Sequence, residues 1–237
     1  MSKSPLLRAF ATAGREALAV ARHAVLLRHD TGAAITPAAA ADGDDIVVFV
    51  HGLFASAGVL RPLRAAVTRN AGIHAAALTY APGPGVAELA ARLAAVTREL
   101  PAGARLHLVG HSLGGIVARY FAQEAGDARV AQTISMASPF AGLPQARLFG
   151  FDAARDLDPE GPLLRRVLLG AADSPVPHLS IIAGSDVMAH APVTHAFPGG
   201  EVIVMKGRGH NALLFDDEVA RLVELRVLRH RAPGVGA

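Results

Sequence analysis

Gly110-His111-Ser112-Leu113-Gly114 is the stretch from which the rest of this chain can be read. It lies between an apolar run, Leu106-His107-Leu108-Val109, and a helix-like run, Ile116-Val117-Ala118-Arg119-Tyr120-Phe121. Gly-x-Ser-x-Gly at a strand-to-helix junction is the pattern of a nucleophile elbow. The turn is so tight that its central residue must take up a strained backbone conformation. Glycines two before and two after it remove side chains that would collide with the neighbouring strand and helix. The serine oxygen is left at the tip, at the start of a helix whose free N–H groups face it.

Outward from the elbow, strand and helix patterns alternate. Apolar runs at 46–50, 73–80, 106–109, 130–137, 179–183 and 201–205 predict six strands. Ile46-Val47-Val48-Phe49-Val50 is apolar throughout, as a strand covered on both faces must be. Helical spacing predicts helices over 59–70, 86–99, 113–125 and 216–229, the last with Asp216, Asp217 and Glu218 at its start and Arg226 and Arg229 at its end. This alternation predicts an α/β fold, a mostly parallel sheet of six or slightly more strands flanked by helices. The main domain spans 46–237. Residues 139–178 break the rhythm with six prolines and many apolar residues, and predict two short helices near 143–150 and 162–169. An insertion this apolar reads as a cap over a site.

A serine hydroxyl needs a histidine to take its proton and a carboxylate to orient that histidine. Both must lie on loops at the carboxyl ends of later strands. Asp186 follows the strand 179–183, and His210, in Gly207-Arg208-Gly209-His210-Asn211, follows the strand 201–205. Among the other histidines, five precede the serine and His111 adjoins it, pointing elsewhere on the elbow. His178, His190 and His195 follow no final strand directly. Asp173 precedes its strand and is the weaker carboxylate. The candidate triad is therefore Ser112, His210 and Asp186. Two backbone N–H groups, of Leu113 and of Leu53 in His51-Gly52-Leu53-Phe54, are the candidate oxyanion hole. His51 reads as a structural hydrogen-bonding residue.

The chain resembles the α/β-hydrolase superfamily, and its His51-Gly52-Leu53-Phe54 and Gly110-His111-Ser112-Leu113-Gly114-Gly115 look like bacterial lipases and esterases of the His-Gly-x type. The likeness runs from about Ile46 to Leu228. Ala137-Ser138-Pro139-Phe140-Ala141-Gly142 is similar to a Ser/Thr-Pro-His-x-Gly segment of those lipases, with Phe140 in place of the histidine. The resemblance implies hydrolysis of uncharged, lipid-like carboxylic esters through an acyl-enzyme, without a cofactor. Thioester hydrolysis or acyl transfer with the same triad is the alternative, and a non-catalytic binding protein on this fold is a third. Phe54, Phe140, Leu143, Val187 and Phe197 are the candidate substrate-binding residues. Many such lipases carry a disulfide or a calcium site. A chain without cysteine excludes the first, and Asp152, Asp156 and Asp158 read as turn and helix-cap residues, so no metal is expected.

Composition bounds the rest. With 237 residues, 51% of them hydrophobic, the chain can bury a sizeable core. Its net charge of +3 is uneven: residues 1–29 carry Lys3, Arg8, Arg15, Arg22 and Arg28 against Glu16 alone. The body therefore lacks the basic field that nucleic acid requires. Residues 1–29 predict an amphipathic helix over 5–28 with an apolar stripe of Leu6, Phe10, Ala13, Ala17, Val20, Ala24 and Leu27, followed by a polar connector over 30–45. The helix either packs on the domain or rests on a membrane surface. The charges in it break any signal-peptide core, so a cytoplasmic or membrane-peripheral location is expected over secretion.

Overall fold

The computed structural model describes residues 5–32, 34–187 and 195–231; Lys3 and His190 lie outside them. Six parallel strands, β1 (Asp45–Val50), β2 (Ile73–Leu78), β3 (Arg105–His111), β4 (Val130–Met136), β5 (His178–Ala183) and β6 (Glu201–Met205), form one sheet in the order β2-β1-β3-β4-β5-β6. The chain runs outward from β1 to β2, then returns to place β3 on the other side of β1. The loops after β1 and β3 thus diverge to opposite faces of the sheet. That reversal opens a crevice at the strands' carboxyl ends, where ligands bind in such sheets.

Strand pleating sends alternate residues of β1 to two cores. Ile46, Val48 and Val50 pack with α3 (Val86–Arg98) and α4 (Leu113–Glu124), while Val47 and Phe49 pack toward α2 (Arg61–Val67) and α7 (Asp217–Arg229). The helix expected over 59–70 starts as a 3-10 turn, Ala57–Leu60, capped by the Ser56 hydroxyl, and continues as α2 with Pro62 in its first turn. β4 ends at Met136 because Ala137 has φ +49°, which no extended strand tolerates. The segment 139–178 holds a 3-10 turn, Pro144–Leu148, and two short helices, α5 (Asp152–Arg155) and α6 (Pro162–Leu169). Within it, the Asp156 carboxylate accepts the Val86 N–H (2.6 Å) and so caps α3.

The first helix, α1 (Pro5–Leu26), packs on the body by a line of residues beside its apolar stripe. Phe10 and Val20 of the anticipated stripe are at least half exposed. The side against the body carries Thr12, Glu16, Ala19, His23 and Leu26. Polar side chains face inward here because the loop beneath them has backbone groups to satisfy. The helix comes close enough to the 3-10 turn after β1 that a Cβ on Gly58 would lie 2.3 Å from the Leu26 carbonyl oxygen. The connector then adds a short antiparallel bridge, Ile35 to Ala77, on the edge strand β2.

Buried histidines hold the interior together as neutral rings. His107 bridges the Asp45 carboxylate (2.9 Å) and the Gln132 amide (2.8 Å) at the amino ends of the strands. His178 lies among the hydroxyls of Thr133, Ser135 and Ser180, and burial pushes it down to about 3. His51 and His111 are pushed down to about 4 and about 3, again chiefly by burial. Each therefore binds a proton in the unfolded chain near pH 6.5 that the folded chain refuses. Stability from these groups is complete above pH 6.5 and drains away as pH falls toward 3. Calorimetry should show Tm level from pH 7 to 8 and falling steadily from 6.5 to 4; a constant Tm across the acid window would contradict this account.

Candidate active site

Ser112 stands between β3 and α4 with φ 53° and ψ −123°, a backbone state that a non-glycine residue adopts only under constraint. The constraint is close packing. A Cβ on Gly110 would lie 2.3 Å from the Gly114 backbone, and one on Gly114 would lie 2.1 Å from the Val50 carbonyl oxygen. A Cβ on Gly115 would lie 2.0 Å from the Ser138 hydroxyl. The Ser112 N–H donates to the Met136 carbonyl (2.8 Å), which ties the turn to β4. Leu113 begins α4, so its N–H has no acceptor inside the helix.

The loop after β1 reaches the same point. A Cβ on Gly52 would lie 3.0 Å from Ser112 Cβ, a tight contact that brings this loop against the serine. His51 shapes this loop. Its Nδ1–H donates to the Gly52 carbonyl (2.7 Å), its Nε2 accepts the Tyr80 N–H (3.1 Å), and its ring stacks on Tyr80. The Tyr80 hydroxyl in turn donates to the His51 carbonyl (2.6 Å). Phe54 follows with φ +57°, and its ring projects toward Phe149 and Phe151 of the cap.

From the far side of the sheet, His210 and Asp186 meet. His210 Nδ1 donates to Asp186 Oδ2 at 2.7 Å, and both side chains are less than one-tenth exposed. This bond fixes the tautomer and leaves His210 Nε2 free to accept a proton. His210 and Ser112 line one cavity of about 320 Å³, together with Val20, His23, Leu53, Phe54, Leu143, Ala146, Phe149, Ala154, Leu157 and Asn211. Among the described residues no hydrogen bond joins the Ser112 hydroxyl to His210; such bonds tighten when substrate is bound.

Of the residues read from the sequence as substrate contacts, Phe54 and Leu143 line this cavity. Phe140 and Phe197 do not. Both are buried in the core, where Phe140 meets His178 and Phe197 edge-on and the Arg119 guanidinium sits 4.4 Å over the Phe197 ring. A buried cation needs a π face or carbonyl partners, and the Phe197 ring with the Val176 carbonyl supplies them. Val187 is 86% exposed and does not line the cavity.

Sequence reasoning missed three contributors. Val20 and His23 bring α1 into the cavity wall; Val20 belongs to the helix's predicted apolar stripe, whereas nothing in that spacing singles out His23. His111 does not point away from the site. Its ring lies edge-on to His210 with centroids 4.8 Å apart, and its Nε2–H donates to the His210 carbonyl (3.1 Å). Its position beside the serine was the only available signal.

A family model for the α/β-hydrolase fold matches residues 45–152. Three solved structures illustrate the likeness. Mature lipase BlEst2 of Bacillus licheniformis superposes with a TM-score of 0.69 at 17% identity, over 82% of this chain and 96% of its own. Est1E from Butyrivibrio proteoclasticus gives 0.64 at 16%, over 83% and 92%. A thioesterase domain from the curacin biosynthetic pathway gives 0.55 at 15%, over 78% and 91%. No curated protein sequence matches the chain. The fold is thus the α/β-hydrolase fold, and the chain is similar to bacterial lipases and esterases.

The packing around the elbow leaves no room for even one methyl group. Gly114→Ala should lower stability by at least about 2 kcal/mol, the range for backbone strain and overpacking. Urea unfolding checks this, with Gly126→Ala as the comparison: Gly126 has open space around it and carries only the cost of its φ of +63°.

Proposed function

We propose that the protein is a serine carboxylic-ester hydrolase acting on uncharged, lipid-like esters. The observation that carries this is the 2.7 Å bond from His210 to Asp186, made in the cavity that also holds Ser112 at a strained turn. Ser112 Oγ attacks the ester carbonyl as His210 Nε2 takes its proton. The imidazolium formed is stabilised by Asp186 through Nδ1–H. The N–H groups of Leu53 and Leu113 receive the oxyanion, each contributing on the order of 3 kcal/mol in the transition state. His210 then gives its proton to the departing alcohol, which leaves an acyl-enzyme. Water attacks the acyl-enzyme with His210 again as base and restores Ser112. The cavity lining is mostly apolar, with His23, His111, Gln145 and Asn211 as its polar members beyond the triad, which favours an uncharged acyl chain.

Ser112→Ala should lower turnover of a p-nitrophenyl ester by roughly four to six orders of magnitude and abolish labelling by a fluorophosphonate. Undiminished turnover and labelling would end the proposal. The likeness to a thioesterase domain supports a second reading, with thioesters as substrates of the same triad. An oxygen ester and a thioester of the same acyl chain, competing in one assay, separate the two by which is consumed faster.

A lipid-like substrate goes with peripheral membrane contact through α1. Its outward face presents Leu7, Phe10, Leu18 and Val25, all more than half exposed, with exposed Arg15 and Arg22 beside them. That pairing of apolar and cationic groups suits an anionic lipid surface. No helix among the described residues is long and apolar enough to cross a membrane. Cosedimentation with phosphatidylglycerol-containing vesicles should be strong at low salt, weaker at high salt, and reduced by Phe10→Ser with Leu18→Ser. Equal recovery of both proteins in the supernatant would exclude this contact.

A further inference from the structure

The loop that carries His210 is gripped from two sides, and one grip comes from α1. The Glu16 carboxylate accepts three hydrogen bonds there: Oε1 from the Asn211 N–H (2.9 Å) and the Asn211 side-chain amide (3.0 Å), and Oε2 from the Ala212 N–H (3.0 Å). On the opposite side His111 Nε2–H holds the His210 carbonyl. Gly209 makes room for this arrangement: a Cβ there would lie 2.3 Å from Glu16 Oε2. Glu16 is the one acidic residue in the first 29, and it is half-buried on the inward side of its helix.

We infer that Glu16 is a positioning residue for the reaction, setting the backbone of residues 210–212 so that the His210 ring meets Ser112. The inference rests on the triad reading above. Ser112 is fixed by its elbow, whereas His210 stands on a loop whose N–H groups would otherwise turn to water. Hydrogen bonds to an ionised acceptor are about twice as strong as neutral ones, and three on one carboxylate give the loop a single register. A displacement of about 1 Å at a catalytic base costs up to about 100-fold in rate. Glu16 touches no substrate atom; it acts through the loop. The first helix is on this account part of the catalytic apparatus as well as a wall of the cavity.

Four full-length variants test this: Glu16→Ala, Glu16→Gln, Gly209→Ala and the double variant Glu16→Ala with Gly209→Ala. Each is assayed for kcat and KM on p-nitrophenyl butyrate, with Tm measured alongside. Glu16→Ala should lower kcat by roughly 10- to 100-fold while KM changes by less than about twofold, since the apolar acyl wall is untouched. Glu16→Gln should fall between, because its amide oxygen accepts one of the N–H groups while its NH2 faces the other. Gly209→Ala should displace the Glu16 carboxylate and mimic Glu16→Ala. The double variant should then be no worse than Glu16→Ala alone, the non-additivity expected of one shared interaction. Wild-type kcat in folded Glu16→Gln or Gly209→Ala overturns the inference, as do multiplicative losses in the double variant. Should Glu16→Ala not fold, Gly209→Ala decides, since it retains the glutamate. A wild-type protein with neither ester turnover nor Ser112 labelling would instead fail the triad reading, which keeps the two outcomes apart.

Discussion

Holding Ser112 at φ 53° costs on the order of 1–3 kcal/mol, and the structure around it must supply that from packing. It does so through close approaches at three glycines, two against backbone and one against serine side chains. The first turn of α4 lies on the end of β1 at Gly114, β3 meets the same turn at Gly110, and Ser135 of β4 and Ser138 just after it approach at Gly115. Because β1 and β3 are neighbours across the reversal in strand order, the loop after β1 is delivered to the serine's side. The strained residue, the loop beside it and the crevice in the sheet are consequences of one close approach.

The eleven histidines show how burial sorts chemistry within one fold. His51, His107 and His178 lie inside hydrogen-bonded networks, and desolvation keeps them neutral, so they act as rigid bridges. His111 is equally buried but leans on His210 through both ring and backbone, coupling the elbow to the loop that follows β6. His210 differs in having a carboxylate on one nitrogen and a cavity before the other.

Sheet and elbow were legible because their determinants are local. Five consecutive apolar residues mark a doubly covered strand, and glycines at fixed offsets mark the turn. The order of strand ends along the chain was enough to put Asp186 and His210 on one rim, where they form their bond. The cavity wall was less legible. Phe140 and Phe197 are apolar and near the cap in sequence, yet a buried Arg119 draws that cluster into the core. Val187 adjoins Asp186 in the chain and still does not line the cavity. The first helix misled as well, since it packs by residues beside the stripe that its apolar spacing suggested. Its Glu16 and His23 turn inward toward partners almost two hundred residues away.

The sequence by itself determined the alternation of strands and helices, the serine at the tight turn and the chain order of the aspartate and histidine that meet beyond it. These follow from the pleat, the helical period and the space a glycine leaves, all readable over a few residues. Only the tertiary structure decided which aromatic rings meet the cavity and which meet a buried cation, and that a helix far upstream caps the loop of His210. Those outcomes depend on satisfying polar groups across the fold, and no local pattern records which distant backbone N–H a carboxylate will find.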